Sequence, residues 1–176
     1  MQTLLTPKKL SSLLSLLDSV KHLDGAIAEL GVYQGGALKA LAGECPGKAV
    51  LGFDTFAGQP AQSWREGDFH RPGEFSDTSL EKVRFWMPAN VKLKPGLFPD
   101  STFGVDEDFC FAHVDFDLEK STEDAIEWLR PRMVPGGLIV FDDYRWQNCP
   151  GVEKAIARAG LDVVESAPCQ CYWRAP

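Results

Sequence analysis

Apolar positions change their period several times along the chain. Leucines at 10, 13, 14, 16 and 17 are interrupted by serines and fall on one face of a helix over residues 10–20. Residues 26–30 form a short apolar run that ends at Gly31, the pattern of a strand entering a turn. A helix follows over 36–44, then a second strand over 49–53 that ends in Asp54. Residues 57–76 mix glycine, proline, charges and aromatics without period, which predicts a long loop; loops of that length in compact domains are often lids. Residues 77–86 predict a helix opened by Ser76 or Asp77 as cap. Val91-Lys92-Leu93-Lys94 alternates as a third strand, and residues 109–114 supply a fourth. Ser121-Thr122-Glu123-Asp124 has capping chemistry and opens a helix to about Arg130. Residues 137–141 predict a fifth strand, Pro150-Gly151 leads into a helix to about Ala159, and 161–164 and 171–173 are the last two strands.

Strands that alternate with helices imply an α/β fold: a Rossmann-like, mostly parallel seven-stranded sheet with helices on both faces. No linker and no internal repeat divides the chain, so residues 1–176 are expected to form one domain. Ligands of such sheets bind beyond the carboxyl ends of the strands. Those ends carry Glu29, Asp54, Asp115, Asp142 and Asp143, so five carboxylates are expected along one sheet edge.

Glu29-Leu30-Gly31-Val32-Tyr33-Gln34-Gly35-Gly36-Ala37 joins the first strand to a helix. Glycines there let backbone approach a ligand closely. The dinucleotide fingerprint G-x-G-x-x-G is not matched, which disfavours a nicotinamide dehydrogenase. The more open G-x-x-x-G-G turn suits a nucleoside with a sulfonium tail better than a pyrophosphate. Asp54 follows about twenty residues later, where an acid can hold ribose hydroxyls.

Composition narrows the partners. The formal net charge is −7, and Lys and Arg nowhere cluster into a basic face, so a nucleic-acid partner is not expected. The first residues are followed by no apolar run long enough for a signal peptide core or a membrane span, so no membrane partner is expected and the compartment is read as the cytoplasm. Five cysteines, at 45, 110, 149, 169 and 171, fit no disulfide framework. Cys169-Gln-Cys171 has no second pair to complete a zinc knuckle, so the thiols are read as free.

The segment 29–37 resembles motif I of class I S-adenosylmethionine (SAM)-dependent methyltransferases, close to the form found in catechol-type O-methyltransferases. Val114-Asp115-Phe116-Asp117-Leu118-Glu119-Lys120-Ser121-Thr122, followed by Pro135-Gly136-Gly137 through Asp142-Asp143-Tyr144 and then Pro150-Gly151-Val152, resembles the macrocin O-methyltransferase family over roughly residues 26–160. The resemblance implies SAM as methyl donor, Mg²⁺, and a small-molecule hydroxyl acceptor on a natural product, sugar or phenol; it leaves room for a homo-oligomer. The chain is shorter than the larger macrocin-type enzymes. Glu29, Gly31, Tyr33, Gly35, Asp54 and Asp115 are the expected cofactor residues. A cephalosporin-hydroxylase-like protein and a non-catalytic SAM-binding protein of the same fold are the competing readings.

Asp115, Asp142 and Asp143 are the expected metal ligands. Neighbouring parallel strands lie about 4.8 Å apart, so acids at their ends can share one ion, and the repulsion among them falls when a divalent cation sits between them. Asp117 and Glu119 are read as solvated acids or caps, and His113 as a buried, hydrogen-bonded histidine. His70, in the long loop beside Trp64, Phe69 and Phe75, is the candidate general base, with Asp115 as the alternative. The three aromatics are candidates to pack over an acceptor.

Overall fold

Apolar runs set the central strands, and Gly31, Asp54, Asp115 and Asp142 stand at or just after the ends of four of them. The structure, a computed structural model, describes residues 3–176. Its strands are β1 (Ala26–Leu30), β2 (Val50–Asp54), β3 (Val91–Pro95), β4 (Phe109–Val114), β5 (Met133–Asp142), β6 (Val164–Ala167) and β7 (Gln170–Arg174). They form one sheet of order β3-β2-β1-β4-β5-β7-β6. Pairs among β1 to β5 are parallel, and β7 runs antiparallel to both β5 and β6. β1 and β4 are buried at every residue, as central strands covered on both faces must be.

Five α-helices do the covering: α1 (Pro7–Val20), α2 (Gly36–Glu44), α3 (Leu80–Trp86), α4 (Glu119–Leu129) and α5 (Pro150–Arg158). Alternation along the strands sorts the core into two layers. Ile27, Val50, Phe111, Leu138 and Val140 face α1, α2 and α3 through Leu13, Leu17, Leu38, Leu41 and Val83. Leu30, Phe53, Ala112, Val114, Ile139 and Phe141 face α4 and α5 through Ala125, Ile126, Leu129, Val152 and Ile156. Glu29 and His113, paired in register across β1 and β4, alternate with Ile27 and Phe111 and share the α1 layer.

The Rossmann-like sheet is as the sequence predicts, with shifts at element ends. α1 starts at Pro7 rather than residue 10, because the Thr6 hydroxyl accepts the Lys9 amide at 3.3 Å and proline fits the first turn. α3 starts at Leu80 under a Ser79 cap; Asp77, read as a cap, instead accepts the Tyr33 hydroxyl at 2.8 Å. α4 starts two residues before Ser121, and Thr122 donates to the Leu118 carbonyl rather than capping. β5 reaches back to Met133 because Pro135-Gly136-Gly137 is absorbed as an irregularity between the Phe109–Met133 and Phe111–Leu138 pairs. Only Val164 of the predicted sixth strand lies in β6. The cysteines are free thiols, four buried and Cys169 half-buried. Among the described residues no helix is long and apolar enough to cross a membrane.

Candidate active site

At the carboxyl ends of β1, β2, β4 and β5 opens a cavity of about 590 Å³, within the range that holds a cofactor or drug-sized ligand. Glu29, Gly31, Tyr33, Asp54, His70, Asp115, Asp142 and Asp143 all line it. Gly35, the remaining expected cofactor residue, caps α2, one residue back from the wall made by Gly36 and Ala37.

Backbone contacts build the turn after β1. Gly31 has φ +91°, and a Cβ there would lie 2.0 Å from the Asp115 carbonyl oxygen. The Asp115 amide donates to the Leu30 carbonyl at 2.8 Å, so the ends of β1 and β4 touch. Asp54 Oδ2 accepts the Val32 and Tyr33 amides at 2.7 and 2.8 Å, and Oδ1 accepts the Phe56 amide at 2.7 Å. Burial pushes this carboxyl up while the three amides pull it down. Asp54 therefore buckles the turn as well as facing the cavity. Gly35 supplies no side-chain cap, so the first-turn amides of α2 are left without one. Free amides at a helix N-terminus, a strand-end acid on the next strand and a close-approach glycine fit the methionine carboxylate and ribose of SAM. The Tyr33 hydroxyl is engaged by Asp77 and Gln34, and its ring meets Phe75 edge-on at 5.8 Å.

The acidic cluster contains a cation that the sequence reading missed. Lys9 of α1 donates to Asp142 Oδ2 at 2.8 Å and Asp143 Oδ1 at 3.0 Å, and all three side chains are nearly buried. The helical spacing 9, 13, 17, 20 sets Lys9 on the stripe of Leu13, Leu17 and Val20. A charge on an apolar stripe was the available signal. Asp142 also accepts the Gln170 amide at 3.3 Å. The repulsion expected among these acids is thus partly relieved at Asp142 and Asp143 by the Lys9 ammonium.

The acids that draw together are Asp115, Asp117 and Asp143, whose oxygens lie within 4.8 Å of one another. Asp117 is no solvated cap: its φ of +63° turns it into the cavity, and Asp143 has φ +59°. Left-handed backbone at two acids is local strain held by the surrounding fold. Burial, then the neighbouring carboxylates, push Asp115 and Asp117 well above the usual carboxylate range. One lysine does not balance these charges. The trio of hard oxygen donors and the surplus negative charge fit a divalent cation such as Mg²⁺.

Segment 57–76 has neither helix nor strand, as predicted, yet it is anchored. Gln59 donates to Asp117 at 2.8 Å and Arg65 pairs with Glu119 and Glu123. His70 is buried, its Nδ1 lies 2.7 Å from Glu74, and its Nε2 is buried without a partner. Of the aromatics expected over the acceptor, only Phe75 lines the cavity. Phe69 is exposed and Trp64 stacks under Arg71; Trp146, from the turn before α5, stands in the wall instead, 6.1 Å from His70. His113 is buried as expected and pairs with Glu29 at 3.0 Å.

Residues 2–159 match the family macrocin-O-methyltransferase (TylF). Two similar curated proteins are an 8-demethyl-8-(2,3-dimethoxy-alpha-L-rhamnosyl)-tetracenomycin-C 4'-O-methyltransferase of Streptomyces olivaceus and a demethyldecarbamoylnovobiocin O-methyltransferase of Streptomyces niveus. The first is 30% identical over 84% of this chain and 64% of its own length. The second is 27% identical over 93% and 70%. The chain thus spans about two thirds of these relatives. The O-methyltransferase NovP superposes with a TM-score of 0.84 at 25% identity, covering 98% of this chain and 81% of that one. The calicheamicin methyltransferase CalS11 shares the fold with a TM-score of 0.76 at 23% identity, over 94% and 77%. The chain belongs to the macrocin O-methyltransferase family, with the class I methyltransferase fold.

Proposed function

We propose that this chain is a SAM-dependent O-methyltransferase that methylates a hydroxyl of a small natural product, with its acidic cluster holding Mg²⁺ or a similar divalent cation. The observation that carries the reading is that the glycine turn after β1 and the acids after β4 and β5 wall one cavity, joined by the contact between Gly31 and Asp115. Family membership supports the reaction class. The first relative, named for O-methylation of a rhamnosyl-tetracenomycin, supports a glycoside-like acceptor.

Bound SAM supplies a methyl group on a sulfonium that carries its own leaving group. A bound divalent cation supplies stabilisation of negative charge on the acceptor oxygen. The chain does the rest. Gly31, Tyr33 and Gly35 shape the turn, Asp54 holds it and offers its remaining lone pairs to the ribose, and Glu29 presents an unpartnered Oε2 to the same space. Asp115 and Asp143 would hold the cation, with Asp117 in reach. Asp142 belongs to the set as the partner of Lys9, which keeps it oriented. His70 Nε2, oriented by Glu74, takes the hydroxyl proton, and Asp115 is the second group in reach of that role. Phe75 and Trp146 exclude water around the acceptor.

The test is methyl transfer from SAM to a panel of glycosides, catechols and phenols, with and without EDTA. Turnover with at least one acceptor, lost on chelation and restored by Mg²⁺ while S-adenosylhomocysteine still binds, supports both parts. Full-rate turnover after chelation refutes the metal role, and no calorimetric binding of S-adenosylhomocysteine refutes the whole reading.

A further inference from the structure

On the lid side of the acid trio, three donors of different chemistry meet. A ring nitrogen of His70, a carboxylate oxygen of Asp117 and Cys149 Sγ lie within 4.8 Å of one another. Cys149 is the N-cap residue of α5, 1% exposed, with Sγ 3.8 Å from Asp117 Oδ1. His70, 9% exposed, has Nδ1 on the Glu74 carboxylate at 2.7 Å, which leaves Nε2 available as a ligand; that atom is buried and has no hydrogen-bond partner. A buried imidazole nitrogen without a partner is costly, so its environment is incomplete as it stands.

We propose that His70, Asp117 and Cys149 form a second cation site, selective for a thiophilic divalent ion of the zinc type, which ties segment 57–76 to the start of α5. The donor set of nitrogen, oxygen and sulfur discriminates against Mg²⁺, which takes oxygens. Bond lengths of about 2.0–2.3 Å place tetrahedral donors about 3.3–3.8 Å apart. The Asp117–Cys149 spacing of 3.8 Å already meets that. The Glu74–His70 contact is the outer-sphere carboxylate that metal-bound histidines carry, fixing the tautomer with Nε2 free to ligate. Three protein ligands leave a fourth position for water. On binding, the Cys149 thiol releases its proton to solvent and ligates as thiolate, with no change of oxidation state. Occupancy immobilises the lid and removes the Nε2 lone pair from proton transfer, so a zinc-type ion inhibits where Mg²⁺ supports turnover. The inhibition rests on the function proposed above; the binding does not.

Titration of the reduced full chain with Co²⁺, without SAM or acceptor, reads the site directly. The wild type should develop a sulfur-to-cobalt charge-transfer band and the intense visible bands of a tetrahedral site, abolished by Zn²⁺ but not by Mg²⁺, which competes for Asp117 alone and not for His70 or Cys149. Cys149→Ser should lose the charge-transfer band, while Cys169→Ser, which alters the half-buried thiol at the same cavity, should keep it. Glu74→Gln should lower Co²⁺ affinity by about 10–100-fold. A wild type with no charge-transfer band, a band that persists in Cys149→Ser, or affinity unchanged in both His70→Ala and Glu74→Gln overturns the site. Should Cys149→Ser fail to fold by circular dichroism, the two loop variants decide.

Discussion

Replacing Lys9 by methionine keeps most of the side-chain volume and removes the ammonium. Its loss strips two contacts, at 2.8 and 3.0 Å, from acids that are 5% and 9% exposed at the side chain. Removing one partner of a buried ion pair costs about 3–5 kcal/mol, because the other charge is left uncompensated. Lys9 itself is 13% exposed, so water screens part of the loss and about 3 kcal/mol is the expected figure. For a chain of 176 residues, each kcal/mol moves the melting midpoint by about 2–4 °C, so the variant should melt about 6–12 °C lower in EDTA. A divalent ion changes the result in a diagnostic way. Mg²⁺ at a hundred times its Kd stabilises by about 2.7 kcal/mol, and in Lys9→Met it meets no ammonium on Asp143. The midpoint shift on adding Mg²⁺ should therefore be larger in the variant than in the wild type. Scanning fluorimetry of both proteins, with EDTA and with Mg²⁺, measures all four midpoints. A variant that melts with the wild type in EDTA would mean that Lys9 does not carry the charge balance. Equal Mg²⁺ shifts in the two proteins would mean that lysine and ion do not share Asp143.

Asp54→Ala frees three amides and should weaken S-adenosylhomocysteine binding by orders of magnitude in calorimetry, at about 1.5–3 kcal/mol per charge-assisted bond; wild-type affinity would remove Asp54 from the cofactor site. Gly31→Ala drives a Cβ to within 2.0 Å of the Asp115 carbonyl at a positive φ, so a loss of at least about 3 kcal/mol is expected in urea unfolding, and a stable variant would contradict the strand-end contact. His70→Ala should lower kcat by about 10²–10⁴-fold with the affinity for S-adenosylhomocysteine unchanged; unchanged kcat shifts the base to Asp115. Amides of segment 57–76 should exchange faster than those of β1 and β4 in the free protein and slow when donor and acceptor are both bound; protection in the free protein equal to that of the strands would make the segment a fixed wall.

The strand-end acids were legible because a short apolar run leaves little doubt where a central strand stops, and Glu29, Asp54, Asp115 and Asp142 sit at or just past those stops. Lys9 was not, because the stripe of α1 was read from its leucines, and the helix begins three residues before the first of them. Asp117 was misjudged for a conformational reason. Its left-handed backbone turns the side chain back toward the cavity, and spacing along a chain carries no sign of φ. Trp146 reaches the wall from a turn between Asp143 and α5, where tertiary packing rather than periodicity decides direction. Within the loop, composition marked the aromatics but could not sort Phe75, which faces in, from Phe69, which faces out.

The abutment of Gly31 on the Asp115 carbonyl also says where this fold is free to change. The turn proposed to hold the donor and the acid proposed to hold the cation meet backbone against backbone, and strands buried on every residue stand behind both. On the proposed function, the separation between the methyl to be moved and the oxygen to receive it is machined into the scaffold, like the gap between fixed jaws. The wall on the proposed acceptor side is held differently: Gln59, His70 and Phe75 line the cavity from a segment fastened by polar contacts, and such contacts are individually cheap to exchange. Diversification toward new acceptors has an inexpensive route through that segment, whereas any residue with a side chain at position 31 would have to reset the jaws themselves.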